Sequence, residues 1–96
     1  MAIQSFADRA TEEYFIHGRL SKKVAWGGSK KVVHRKLDML HYAAVLSDLA
    51  SPPGNHLEAL TGDRRGYHSI RINDQWRIVF RWSQSGPEKV LITDYH

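Results

Sequence analysis

Three residues at the carboxyl end of the chain, Asp94, Tyr95 and His96, set a carboxylate, an aromatic ring and an imidazole in succession. An imidazole titrates near neutral pH, so His96 is suited to giving or taking a proton. Asp94 is suited to act as a base or to orient a partner, and Tyr95 offers a ring on which a base can stack. Upstream, Arg77 in the run WRIVFRW supplies the fixed positive charge that clamps a phosphate. Glu58, just ahead of a Gly62-Asp63 turn, is another proton acceptor. A ribonuclease that works without metal needs such a set. It requires a base for the 2′-hydroxyl, an acid for the leaving 5′-oxygen and a cation for the phosphorane charge. A terminal Tyr-His pair is also what a frayed end looks like, and strand arginines opposite an apolar face are commonly its solvated side. Residue types alone therefore support a surface suited to RNA and no more.

The elements that must position these residues follow from the rest of the chain. Ninety-six residues, 42% of them hydrophobic and 10% aromatic, are enough for one domain with a single modest core. Fourteen Lys and Arg against ten Asp and Glu give a formal charge of +4, which suits a polyanionic partner. The absence of cysteine excludes a disulfide framework and thiolate chemistry, and fits a reducing cytoplasm. No apolar run approaches about 18 residues and no charged-then-apolar leader occupies Met1 to Tyr14, so a soluble, unexported chain with no membrane partner is expected.

Ala2 to Phe6 reads as a brief first strand. Asp8 caps a helix over about Arg9 to His17, and Gly18 stops it. Arg19 to Lys31 is a connector with five basic residues and a Gly27-Gly28 break, in which Trp26 packs down onto the core. Ser29 caps a longer helix from about Lys30 to Ala50, with Val33, Leu37, Leu40 and Ala44 as its apolar stripe. Ser51-Pro52-Pro53-Gly54 ends it. The period then falls to two. Leu57 to Leu60 and Tyr67 to Ile72 are strands, Asn73-Asp74 is a two-residue turn, and Trp76 to Trp82 is the clearest strand of all. Ser85-Gly86-Pro87 turns the chain into a last strand, Val90 to Tyr95. The order β-α-α-β-β-β-β predicts an α+β domain, two helices on one face of a twisted, mainly antiparallel sheet.

With Trp76, Ile78, Phe80 and Trp82 facing the helices, Arg77 and Arg81 project from the open face, near Tyr67, Ser69 and Arg71. Arg71, Arg81 and Tyr67 are thus RNA-binding candidates. Lys22, Lys23, Lys30 and Lys31 flank the second helix start, either as a contact for RNA or, by default, as a solubilising loop. His34 and His41 are seven residues apart, too far for an i,i+4 metal pair, and neither a metal nor a cofactor is expected. The Gly62-Asp63-Arg64-Arg65-Gly66 turn lacks the phosphate-loop pattern and reads as structural.

The run LTGDRRGYHSIRINDQWRI from Leu60 to Ile78, with the opening Ile3-Gln4-Ser5-Phe6 and the closing Asp94-Tyr95-His96, resembles the HigB toxins of the RelE/ParE superfamily. The resemblance implies a small RelE-like fold and the toxin of a type II toxin–antitoxin pair, a ribosome-dependent nuclease that cuts mRNA in the A site without metal. It further implies a cognate HigA-like antitoxin with a helix-turn-helix domain, and contact with operator DNA only through their complex. The family's terminal carboxylate, aromatic and His fall on Asp94, Tyr95 and His96, and its strand arginine on Arg77. Some members have His and Lys where this chain has Glu58 and Thr61. Either Glu58 replaces that His as proton acceptor, or this toxin is a weaker nuclease. The nearest His, His56, would point to the same side only on a regular strand. Two other functions remain open on this scaffold: a non-nuclease poison of gyrase like ParE, and a weakly toxic co-repressor acting through the antitoxin.

Overall fold

In the computed structural model, which describes residues 2–94, Asp8 starts the first helix as expected. Its extended backbone leaves the carboxylate free to accept the Thr11 N–H at 2.6 Å, and α1 runs Arg9–His17. Gly18, at φ +68°, takes the left-handed conformation that ends it. The connector is built around a short 3₁₀ turn, Ala25–Ser29, that buries Trp26. The Tyr14 hydroxyl donates to the Lys30 carbonyl at 2.8 Å and so ties α1 to the next helix.

That helix, α2, spans Lys30–Tyr42 rather than continuing to Ala50. Asp48 is the cause. Its carboxylate accepts the N–H groups of Ala44 and Val45 at 2.9 and 3.2 Å, donors that a continuing helix would bond to its own carbonyls. A separate 3₁₀ turn, Leu46–Ala50, then brings Leu49 into the core. Ser29 stands at the helix N-cap without capping it, because its hydroxyl accepts from Asn73 at 2.9 Å instead.

Four antiparallel strands follow as a meander: β1 Glu58–Ala59, β2 Tyr67–Arg71, β3 Trp76–Ser83 and β4 Gly86–Asp94, side by side in that order. The strand expected over Leu57 to Leu60 shrinks to two residues. The turn between β2 and β3 is longer than two residues. Asn73 Oδ1 accepts the N–H groups of both Gln75 and Trp76 at 2.8 Å, an Asx turn that needs no left-handed pair. Val33, Leu37 and Leu40 of α2 pack with Trp26 against Ile70, Ile72, Ile78, Phe80, Val90 and Ile92 of the sheet. Burying side chains of this size stabilises by roughly 2 kcal/mol each before entropy is counted.

The expected first strand reduces to one parallel bridge, Phe6 with Val90. A β-bulge explains why. Val79 pairs with Leu91 but Arg81 pairs with Glu88, so β4 carries an extra residue there, and Lys89 adopts φ +53°. The N–H groups that the bulge releases are taken by Ser5: Lys89 donates to its hydroxyl at 2.9 Å and Val90 to its carbonyl at 3.1 Å. The amino-terminal segment therefore serves as a clasp on the bulge.

Candidate active site

The second face of the sheet is not open over its whole width. By register, Glu58, Ser69 and Val79 lie in one row across β1 to β3, and Arg71, Arg77 and Thr93 in another across β2 to β4. The segment from Leu60 to Arg64 folds over this face. Leu60 closes it by donating to the Tyr67 carbonyl at 2.8 Å. Gly62 and Gly66, at φ +64° and +92°, supply backbone angles that a side chain would strain. Between this segment and the strands lies a cleft of about 330 Å³. Leu60, Thr61, Asp63 and Arg64 form one wall, Ser69 and Val79 the floor, and Thr93 and Asp94 the far rim.

Arg77 differs most from expectation. It does not project from an open face but is 5% exposed, beneath the cleft floor. Its Nε donates to the Ser69 hydroxyl at 2.8 Å and its Nη2 to the His56 carbonyl at 2.6 Å. Glu58 Oε1 stands 3.9 Å from the same nitrogen. A guanidinium can be buried in this way because its planar donors are matched one by one to acceptors. The cross-strand neighbour Ser69 was within reach of period-two reasoning. The His56 carbonyl was not, since a backbone acceptor leaves no side-chain signal.

His56 itself corrects an expectation. No strand has begun at this point, and His56 takes a left-handed conformation, φ 46° and ψ 54°, that turns its carbonyl to Arg77. A non-glycine residue held there costs on the order of 1 kcal/mol, so its neighbours must fix it. Asn55 does so. Fully buried, it accepts from the Lys36 ammonium of α2 and donates to the carbonyls of Leu49 and Ser51 at 3.2 and 3.4 Å. Burial pushes the Lys36 pKa below its usual value, and the nearby charges of Arg35 and Arg71 add to the effect.

A pH dependence follows. With the folded pKa lowered, the unfolded chain binds more protons between the two values, so stability rises as pH climbs through that window. As pH climbs toward the usual lysine value of about 10.4, the urea midpoint of the wild type should rise more steeply than that of Lys36→Met. Equal slopes would show that this ammonium is not what titrates.

Asp94 stands across from Trp76, so strand alternation gives it the face opposite Arg77, and its carboxylate accepts from Gln75 at 3.1 Å. Thr93 is the residue directly across from Arg77. Tyr95 and His96 lie outside the described residues. Tyr67 and Arg81 are cross-strand partners on the cleft's face, and Arg71 is ion-paired with Asp74 in the hairpin loop. Lys22, Lys23, Lys30 and Lys31 are exposed on the helical layer and line no part of the cleft. Arg64 lines the cleft wall, although the turn that carries it reads as structural in the sequence. The one available signal was the pair of glycines that bracket it. Among the described residues, no group of three His, Asp or Glu could hold a metal ion, and no helix is long and apolar enough to cross a membrane.

Residues 4–96 match a family described as the RelE-like toxin of type II toxin–antitoxin system HigB. The chain is 35% identical over 82 residues to Toxin HigB-1 of Vibrio cholerae serotype O1, covering 85% of this chain and 84% of that protein. It is 33% identical over 82 residues to an uncharacterized protein of Haemophilus influenzae, covering 85% and 80%. In fold it is similar to the YoeB/ParE toxin from Agrobacterium tumefaciens, with a TM-score of 0.56, 22% identity and full coverage of both chains.

Proposed function

This chain belongs to the HigB-like family of RelE-like toxins of type II toxin–antitoxin systems, and from that premise we propose that it is a ribosome-dependent endoribonuclease. It cuts mRNA in the ribosomal A site by acid/base chemistry of its own side chains, without metal, and so arrests translation and growth. The observation that carries this reading is the cleft, with a buried arginine under its floor and the end of β4 at its rim. Arg77 stabilises charge on the phosphorane from a position fixed by Ser69 and the His56 carbonyl. His96 serves the proton transfers with Glu58 as an acceptor beside Arg77, Asp94 orients a partner from the rim, where its carboxylate meets Gln75, and Tyr95 stacks on the base. Arg71, Arg81, Tyr67 and the exposed lysines of the helical layer meet mRNA and ribosomal RNA.

Membership of the family implies a cognate antitoxin. In our reading it is a HigA-like protein with a helix-turn-helix domain, operator DNA is reached only through the complex, and the toxin acts in the cytoplasm. Purified chain should cut a short mRNA when it sits on ribosomes and leave the same mRNA intact free in solution. Intact RNA on the ribosome, together with inhibited supercoiling by purified gyrase, would move the chain to the ParE-like mode.

A further inference from the structure

We propose that Arg64, on the turn after β1, is the residue that grips the RNA phosphate within the cleft. The inference rests on the ribonuclease reading and adds to it a second, surface cation. On the cleft's own wall stand one carboxylate, Asp63, and one cation, Arg64, while Asp94 at the rim turns its carboxylate to Gln75. A phosphodiester also carries one negative charge, so without a cation facing it the entering strand meets repulsion. Thr61, on the same wall, brings no charge.

Arg77 acts from below. At 5% exposed, it gives its Nε to Ser69 and its Nη2 to the His56 carbonyl, so those two edges of the fork are spent within the protein. Arg64 is in the opposite situation. Its side chain is exposed, and no hydrogen bond or ion pair of its guanidinium occurs among the described residues. Its backbone is nevertheless held: its N–H donates to the Thr61 carbonyl at 3.3 Å, and the N–H of Arg65 to Gly62 at 3.1 Å. A guanidinium with all its donors available, on a fixed turn at the mouth of a cleft, is suited to bidentate capture of a phosphate. The two arginines then divide the work, Arg64 seating the strand and Arg77 meeting the charge that develops during cleavage.

The test is single-turnover cleavage of mRNA on saturating ribosomes by the full-length chain, at several salt concentrations. Arg64→Ala should slow cleavage on the order of 30-fold, less than loss of a fully buried charge donor would. It should also reduce the steepness of the salt dependence by about 0.7, the share of one phosphate contact on a single strand. Arg64→Lys should recover part of the rate, because it restores the charge without the fork. A role confined to holding the turn would leave the salt dependence unchanged. Cleavage by Arg64→Ala within about threefold of wild type, with the same salt slope, overturns the proposal. Should the wild type cut nothing, the ribonuclease reading fails, and the phosphate claim is decided by titration with a 2′-O-methyl trinucleotide followed by NMR. Shifts at the Thr61 and Thr93 amides that vanish in Arg64→Ala uphold it; equal shifts in both proteins, zero included, refute it.

Discussion

Arg77→Ala should lower the rate of mRNA cleavage about 10²- to 10³-fold, the usual consequence of removing a preorganised charge donor. It should also destabilise the fold, because its partners are stranded. The Ser69 hydroxyl is fully buried, and the His56 carbonyl loses its guanidinium donor. Orphaned polar groups of this kind cost about 1–3 kcal/mol each, so a loss near 3 kcal/mol in unfolding free energy is expected. Arg77→Lys separates the two effects. An ammonium keeps the charge under the floor but cannot span Ser69 and His56 at once, so stability should return in part while cleavage stays well below wild type. Cleavage measured at a temperature where both variants remain folded decides the matter. Wild-type rates in Arg77→Ala would remove the arginine from the mechanism.

His96→Ala should cost cleavage about 10²- to 10⁴-fold, the range for a lost general acid or base, with little change in melting temperature. The pH profile is the more telling readout. If His96 carries a proton in the reaction, the wild-type rate should show a limb near neutral pH that His96→Ala lacks. His96→Gln, which keeps hydrogen bonding without titrating, should not restore that limb. Unchanged cleavage and an unchanged profile in His96→Ala would assign the chemistry to other groups, Glu58 beside Arg77 first among them.

Much of this fold was legible in the sequence because periodic burial dominates it. The alternation from Trp76 to Trp82, the caps Asp8 and Gly18, and Val33, Leu37 and Leu40 of the expected stripe find their places, while its fourth member, Ala44, is exposed beyond the end of α2. Departures occur where one polar side chain outcompetes local propensity. Asp48 takes two backbone donors and ends α2 at Tyr42, and Asn73 forms an Asx turn where a two-residue turn was expected. The bulge at Lys89, which draws Ser5 to it, depends on a register that no local pattern reports.

The site was legible in its residue types and less so in its depth. Alternation puts Arg77 on the face away from the helices, and so it lies. That a segment would fold over this face and bury it depends on Asn55, Lys36 and a left-handed His56, contacts between residues far apart in sequence. For the same reason the cleft appears only in three dimensions, when the Gly62–Arg64 turn comes to face the end of β4. Asp94 shows the converse: its neighbours in sequence were clear, while its side chain turns to Gln75.

The central claim is tested most directly by mapping RNA ends in cells soon after the chain is induced without its antitoxin. Two copies of one reporter mRNA would be compared, identical except that one lacks a start codon. Cuts within the reading frame of the translated copy, none in its untranslated twin, and none in either when Arg77→Ala is induced are what a ribosome-dependent nuclease produces. Growth arrest with both mRNAs intact, or equal cutting of the two, would contradict it.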